Sequence, residues 1–317
     1  MSVHVLKPGL LTTLQDRGRP GYAALGVGTA GAMDEVALRL ANALVGNAED
    51  AAALEITLSG PRLRFAAAAT IALTGAHFNA TLDGRPLAAW RPQHVAAGSV
   101  FDGGPARRGT LAYLAVAGGF LSESVLGSRS SDLNAHIGPR ALRTGDELTI
   151  DNASQHAAHR RSTWSLDPRP WFDPDRARPI RLIRGTHFAA LDHASQDTLF
   201  AAPFRISTQS NRVGFRLDGP HLALAAPLEL ISEAVTAGTV QLPPGGQPIV
   251  LMAEHPTTGG YPRIAHVAAI DRPRLAQRRP GDTLTFAEIE LDDAQTRYLE
   301  RERELVRLIA AIRKRQA

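Results

Sequence analysis

Apolar and polar positions alternate along most of this chain in short runs broken by Gly and Pro, the rhythm of a β-rich protein rather than a helical one. In the first half the runs are Leu11 to Leu14, Leu54 to Leu58, Leu63 to Phe65, Ile71 to Thr74, Phe78 to Leu82 and Leu111 to Val116. In the second half they are Ile180 to Ile183, Phe204 to Ile206, Phe215 to Leu217, Leu228 to Ile231, Ile249 to Met252, Ile264 to Ile270 and Leu284 to Phe286. The period changes in two places. Asp34 is an N-cap candidate ahead of Ala37, Leu40, Ala41 and Leu44, with Gly46 as the stop, which predicts one short helix in the N-terminal half. Near the C-terminus Leu291, Tyr298, Leu305 and Ile312 recur by sevens, with Leu308 and Ile309 beside them and charges elsewhere. That is an amphipathic helix, whose apolar face packs on its own barrel or docks another protein chain.

Between Asp151 and Pro179 the pattern dissolves into Asp, Ser, His, Arg and Pro, with Trp164, Trp171 and Phe172 as anchors. A chain of 317 residues exceeds a usual single core. The expectation is therefore mainly β: an N-terminal β subdomain at 1–150, a linker at 151–179, and a C-terminal β subdomain at 180–317 that includes the terminal helix. Three phrases recur in the same order in both halves: Gly60-Pro61-Arg62-Leu63 with Gly219-Pro220-His221-Leu222, Gly118-Gly119-Phe120 with Gly259-Gly260-Tyr261, and Gly145-Asp146-Glu147-Leu148 with Gly281-Asp282-Thr283-Leu284. Duplication of one β unit and independent turn chemistry both account for them.

Composition removes whole classes of chemistry. There is no cysteine, so thiolate nucleophiles, disulfides and cysteine-ligated metals are out. Lys7 and Lys314 are the only lysines, and neither sits where a phosphate-binding loop, a Schiff base or a biotinylated lysine needs one. The formal charge is only +4 and arginines alternate with acids, a field too weak for a nucleic-acid partner. No apolar run approaches the roughly 18 residues that span a bilayer, and no leader pattern opens the chain, which predicts a cytoplasmic protein with no membrane contact. Eleven histidines are scattered without His-Glu-x-x-His, and His156 and His159 share the linker without further ligands, so no metal site is expected. No Gly-x-Ser-x-Gly elbow occurs.

Four polar segments remain as candidate chemistry. Asp16, Arg17 and Arg19 lie between a strand and the helix start, where a charge pair and free N–H groups suit a carboxylate ligand; an internal Asp–Arg bridge closing the loop uses the same residues. Ser128 and Arg129 follow, as an oxyanion or carboxylate site or as a Ser/Asp-held turn. Asn211 and Arg212 form the third segment, with Arg212 holding a carboxylate, of the substrate or of a neighbouring acid such as Glu254, and Asn211 orienting it. The fourth runs from Gln241 to Pro262. There Glu254, His255, Thr257 and Thr258 offer acid, imidazole and hydroxyls beside Gly259, Gly260 and Tyr261, although a Glu254–Arg263 bridge and a merely exposed His255 fit as well. The four segments are expected to converge on one concave face.

At these segments the sequence resembles the carboxyltransferase A–B family, which includes KipA, the allophanate-hydrolase-subunit-2 proteins and one half of the carboxyltransferase region of urea carboxylase. Thr13-Leu14-Gln15-Asp16-Arg17-Gly18-Arg19, Leu40 to Asn47, Leu54-Glu55, Leu73-Thr74-Gly75-Ala76, Val125-Leu126-Gly127-Ser128-Arg129, Ser210-Asn211-Arg212-Val213-Gly214, Thr258-Gly259-Gly260-Tyr261-Pro262 and Ala276-Gln277 through Pro280-Gly281-Asp282 carry the likeness. The resemblance implies a cyclophilin-like β-barrel architecture. It implies the role of the C subunit in a 5-oxoprolinase, partnered by a KipI-like B subunit and a LamB/YcsF-like A subunit, with a small-molecule amide substrate and hydrolysis of the 5-oxoproline lactam to glutamate. No covalently bound cofactor is implied; ATP with Mg is used by the complex, with the nucleotide site open between this chain and another subunit. From the residue chemistry of the four segments, Glu254, His255, Thr257 and Thr258 are the catalytic candidates, and Asp16, Arg17, Arg19, Ser128, Arg129, Asn211, Arg212, Gln241, Gly259, Gly260 and Tyr261 the substrate-binding ones. Where the family commonly has Asp-x-Gln-Thr-Thr, this chain has Glu254-His255-Pro256-Thr257-Thr258. A biotin-dependent carboxyltransferase half with separate biotin-bearing chains, and a non-enzymatic regulator that binds a kinase inhibitor, are the alternative readings. Cyclophilin-type proline isomerisation rests on fold analogy alone.

Overall fold

A computed structural model describes residues 1–151, 164–172 and 177–316, so most of the expected linker, with His156 and His159, lies outside the described residues. The chain forms two compact units: Met1–Arg19, Ala30–Pro174 and Leu305–Ala317 make the first, and Pro20–Thr29 with Asp175–Glu304 the second. Both are mainly β.

In the first unit the strands are β1 (Ser2–Lys7), β2 (Leu11–Gln15), β3 (Ala53–Thr57), β4 (Arg62–Phe65), β5 (Ala69–Phe78), β6 (Thr81–Leu82), β7 (Arg85–Pro86), β8 (Gln93–Val95), β9 (Val100–Asp102), β10 (Ala106–Val116), β11 (Phe120–Leu121) and β12 (Glu147–Ile150). They form a seven-stranded sheet, β11-β12-β1-β4-β9-β6-β7, and a five-stranded one, β2-β3-β10-β5-β8. Side chains alternate between the faces of a strand. Val3, Val5, Leu63, Phe65 and Phe101 of the larger sheet accordingly share one core with Leu14, Leu54, Ile56, Leu73 and Leu114 of the smaller.

The other face of the five-stranded sheet is polar where it meets helix α1 (Glu35–Leu44). Thr13 pairs with Glu55, Glu55 with Tyr113, and Tyr113 with Thr74, a row across four neighbouring strands. The Tyr113 hydroxyl donates to Glu55 Oε2 at 2.6 Å and accepts from Asp34 N at 2.8 Å, while Thr74 Oγ1 donates to Ala37 O at 2.7 Å. Asp34 caps α1 as its sequence position predicts, its Oδ1 accepting from Ala37 N at 3.0 Å. This helix is buried from Val36 to Leu44 rather than along one stripe.

In the second unit β13 (Ile180–Arg184), α2 (His193–Ala201), β14 (Phe204–Ile206), β15 (Gly214–Asp218), β16 (Glu233–Ala234), β17 (Thr239–Gln241), β18 (Ile249–Leu251), β19 (Thr258–Gly259), β20 (Arg263–Val267), α3 (Arg272–Ala276), β21 (Thr283–Leu284) and β22 (Phe286–Glu288) follow one another. Eight strands run in the order β21-β14-β15-β18-β17-β20-β13-β22. The two outermost strands are separated in sequence by Thr285 alone, so the sheet is a nearly closed barrel and leaves little free edge. β16 and β19 form a separate ribbon.

Helix α4 (Leu291–Gln316) is the C-terminal amphipathic helix. The sequence pattern assigns 305–317 to the C-terminal body, but by its contacts this stretch belongs with the first unit. The reason is packing: Leu305, Ile309 and Ile312 are buried against Val36, Leu40 and Ala43 of α1, each such burial worth about 1.5–3 kcal/mol. Gln316 Nε2 also donates to the C-terminal carbonyls of α1 at Ala43 and Leu44. Leu291, by contrast, is half exposed.

Several element expectations need correction. Phe78 to Leu82 is not one strand, since Phe78 ends β5 and the chain restarts as β6. Leu228 to Ile231 forms no strand, and Ile231 is 89% exposed. The run expected to extend to Ile270 leaves the sheet after Val267 and turns through Ala269–Asp271. Helix α2 escapes the periodicity argument because only Ser195 and Leu199 are buried on it, too few for an apolar stripe; its start is set by Asp192, whose side chain accepts from Ser195 N. Of the repeated phrases, only the last shows one local structure in both copies. Arg143 N donates to Asp146 Oδ2 and Arg279 N to Asp282 Oδ2, with Gly145 and Gly281 at φ +90 and +91. Gly118 and Gly119 have positive φ, whereas Gly259 and Gly260 do not.

Candidate functional site

Within the first unit, the Asp16 loop and Ser128–Arg129 meet. Asp16 Oδ1 accepts from Ser128 Oγ and Ser130 Oγ, both at 2.6 Å, and from Gly18 N at 2.8 Å; Oδ2 accepts from Arg129 N at 2.6 Å. A carboxylate has about four lone-pair sites, so this one is fully engaged. Arg17 pairs instead with Glu35 at 3.9 Å and is half exposed, and the Arg19 guanidinium donates to Ser130 O from a fully buried position. The Asp–Arg bridge that the sequence allowed gives way to hydroxyl and amide donors, which reach the carboxylate because Ser130 also accepts from Asp16 N. Arg129 Nε turns away to Ser122 O. Asp16 therefore clamps two loops. Gly31 completes the closure: a Cβ there would lie 2.8 Å from Gly18 N.

The second unit brings Asn211–Arg212 and Glu254–His255 together. Arg212 Nε donates to Glu254 Oε1 at 2.6 Å, and both residues are buried. Glu254 N also donates to Arg212 O at 2.8 Å, so backbone and side chains join the same two turns. The bridge to Arg263 does not form. Arg263 holds Glu233 and Ala234 O instead. Asn211 does not orient the guanidinium either; its Oδ1 accepts from Val213 N and Gly214 N and closes its own turn.

His255 is 9% exposed, and its Nδ1 donates to Pro256 O at 2.7 Å, since a carbonyl can only accept. The lone pair then sits on Nε2. Burial, with the Arg272 charge, holds this imidazole below its ordinary pKa of 6.5, although the bond to Pro256 O works the other way. Thr257 is half-buried, Thr258 exposed, and Thr258–Gly259 pairs with Glu233–Ala234. Gln241 is buried, and its Nε2 has no hydrogen-bond partner among the described residues. A Cβ on Gly259 would fall 2.5 Å from that Nε2, so only glycine lets the amide lie against this backbone. Gly260 and Tyr261 are exposed next to it.

Sequence reasoning misses Glu55 and Tyr113 as a buried polar pair, although Glu55 opposite Thr13 on an otherwise apolar strand is a visible signal. Burial, with Glu55 beside it, raises the Tyr113 pKa well above its ordinary value and keeps the phenol protonated as the donor. Arg272 and His266 are missed too, because neither stands in a dense polar phrase. Among the described residues no group of three or more His, Asp or Glu could hold a metal ion, and no helix is long and apolar enough to cross a membrane.

A family profile described as carboxyltransferase domain, subdomain A and B, matches residues 25–288. A protein of Haemophilus influenzae named as the C subunit of 5-oxoprolinase is 40% identical over 285 residues, 89% of each chain. The Escherichia coli protein of that name is 39% identical over 93% of this chain and 96% of its own. The solved structure of the K. lactis urea amidolyase superposes with a TM-score of 0.85 at 29% identity; 96% of this chain is covered, but only 20% of that one.

Proposed function

Because the chain belongs to the family of carboxyltransferase subdomains A and B, we propose that it is the C subunit of a 5-oxoprolinase, which opens the lactam of 5-oxoproline to glutamate as ATP is consumed. The observation that carries this reading is near end-to-end similarity to two proteins named for that role, at 39–40% identity. Two partner chains, one KipI-like and one LamB/YcsF-like, complete the enzyme and share the handling of ATP and Mg.

The second unit offers suitable groups for amide chemistry. The unpartnered Nε2 of Gln241 can donate to a lactam carbonyl lying along Gly259. His255, neutral near pH 7, has Nε2 free to accept a proton from an attacking water. Glu254 is tied to Arg212, and its part is to hold the turn that presents His255 rather than to exchange protons. Thr257 and Thr258 line that turn.

Reconstitution tests the proposal. The purified chain alone should release no glutamate from 5-oxoproline, and adding the two partner chains with ATP should start turnover. Glutamate release by the isolated chain would remove the subunit reading. Likeness to the urea amidolyase favours a second reading, a carboxyltransferase half supplied by biotin on another chain. A silent reconstituted set that becomes active with a biotin carboxylase, a carrier and urea would establish it instead.

A further inference from the structure

With Arg212 occupied by Glu254, a carboxylate-bearing substrate needs a different cation. Arg272 is half-buried at the start of α3, soon after β20, and its guanidinium makes no hydrogen bond or ion pair with the described residues. The titratable side chains that feel its charge are two imidazoles, His255 and His266. His266 lies on β20 opposite Thr239 of β17. Thr239 Oγ1 accepts from Thr236 N at 3.2 Å, so its proton is free for His266 Nδ1 at 3.4 Å, which leaves the imidazole N–H on Nε2. That Nε2 faces Gly238, where a Cβ would lie 3.2 Å away. His255 is fixed in the opposite tautomer by Pro256 O, with an open Nε2.

We propose that Arg272, flanked by His255 and His266, is a carboxylate-binding subsite that selects an acidic lactam over a neutral amide or urea. The guanidinium fork takes the carboxylate and His266 adds an N–H, while the seated anion makes His255 Nε2 a stronger acceptor for the proton it takes from water. This rests on the oxoprolinase reading for the identity of the ligand, not for the existence of the subsite. The unpaired Arg272 charge, after burial, is the second cause that holds both imidazoles down, with His266 at about 4. A bound carboxylate cancels that charge and lets both rise.

The test uses histidine proton resonances of the intact chain, titrated with 5-oxo-L-proline and with 2-pyrrolidinone, the same lactam lacking the carboxylate. In the wild-type chain 5-oxoproline should shift the His255 and His266 signals and raise both midpoints, 2-pyrrolidinone should not, and Arg272→Gln should lose the response. In the assembled enzyme Arg272→Gln should raise KM for 5-oxoproline at least about tenfold with kcat little changed, and Arg272→Lys should fall between. The proposal is overturned if the wild-type signals ignore 5-oxoproline, if 2-pyrrolidinone acts equally, or if Arg272→Gln responds as wild type does. Should Arg272→Gln melt early, Arg272→Lys decides, since retention of full wild-type KM there removes the fork. A wild-type assembly that turns over no 5-oxoproline, beside a chain that still shows the Arg272-dependent shifts, would sink the proposed function and leave the subsite standing.

Discussion

Asp16 in the first unit and Glu254 in the second are both buried carboxylates just past the end of a strand, and both join two turns. Asp16 is held by two serine hydroxyls and two backbone N–H groups, whereas Glu254 is held by a guanidinium. The first is met by neutral donors and depends on several directional bonds, most of them from a loop far away in sequence. The second belongs to a neutral ion pair and depends on one partner. Donors of the first kind leave nothing over for a ligand. In the second unit, Gln241, His255 and Arg272 keep unfilled hydrogen-bonding capacity among the described residues.

Asp16→Ala should be the most damaging change, because it strands four donors at once, two buried hydroxyls and two part-buried N–H groups: about 4 kcal/mol of stability, read as a fall in the denaturant midpoint. No single second substitution should restore it. Arg212→Met should cost about 3 kcal/mol by leaving Glu254 charged and unpaired, yet the double variant Arg212→Met/Glu254→Met should recover to within about 1 kcal/mol of the wild type. If the double variant is as unstable as the sum of the singles, Glu254 is held like Asp16 and the contrast fails.

Acid should act on the second unit through His266. His266 is lowered from 6.5 to about 4 by burial and then by Arg272, so the unfolded chain takes up its proton first as pH falls. Its contribution is undisturbed above pH 6.5 and is lost progressively between 6.5 and 4, by about 2 kcal/mol on going from pH 7 to pH 5. His266→Gln should flatten that part of the stability curve, and an unchanged slope would remove His266 as its source. The smallest effect expected is Tyr113→Phe, about 1.5 kcal/mol, from the lost bonds to Glu55 and Asp34 N.

The β character, the Asp34 cap and the terminal helix were legible because each leaves a local period or a capping residue. Arg212 and Glu254 were legible as candidates, and their pairing was one of the options the letters allowed. Asp16 reads as a partner for arginine, whereas three of its four donors come from 112 to 114 positions away, a pairing that tertiary register sets and composition does not. Arg272 left no trace. It lies in Asp-Arg-Pro-Arg, an ordinary helix start, and becomes notable only because Asp271 takes Arg181 and Arg274 while the Arg272 guanidinium takes nothing among the described residues.

Closure of the second unit's barrel also sets an order of events during synthesis. β13 is flanked by β20 and β22, the latter a parallel pairing, so neither neighbour exists when β13 leaves the ribosome. About 100 residues must follow before the last one emerges, a delay of roughly 5–20 s at ordinary elongation rates. Ile180 and Leu182, fully buried in the finished protein, are unsheltered for that time. Arg181 and Arg184 stand between and beside them. In the nascent chain those arginines act as gatekeepers against strand-to-strand aggregation, before Arg181 takes up Asp271 and Arg184 takes up Glu288.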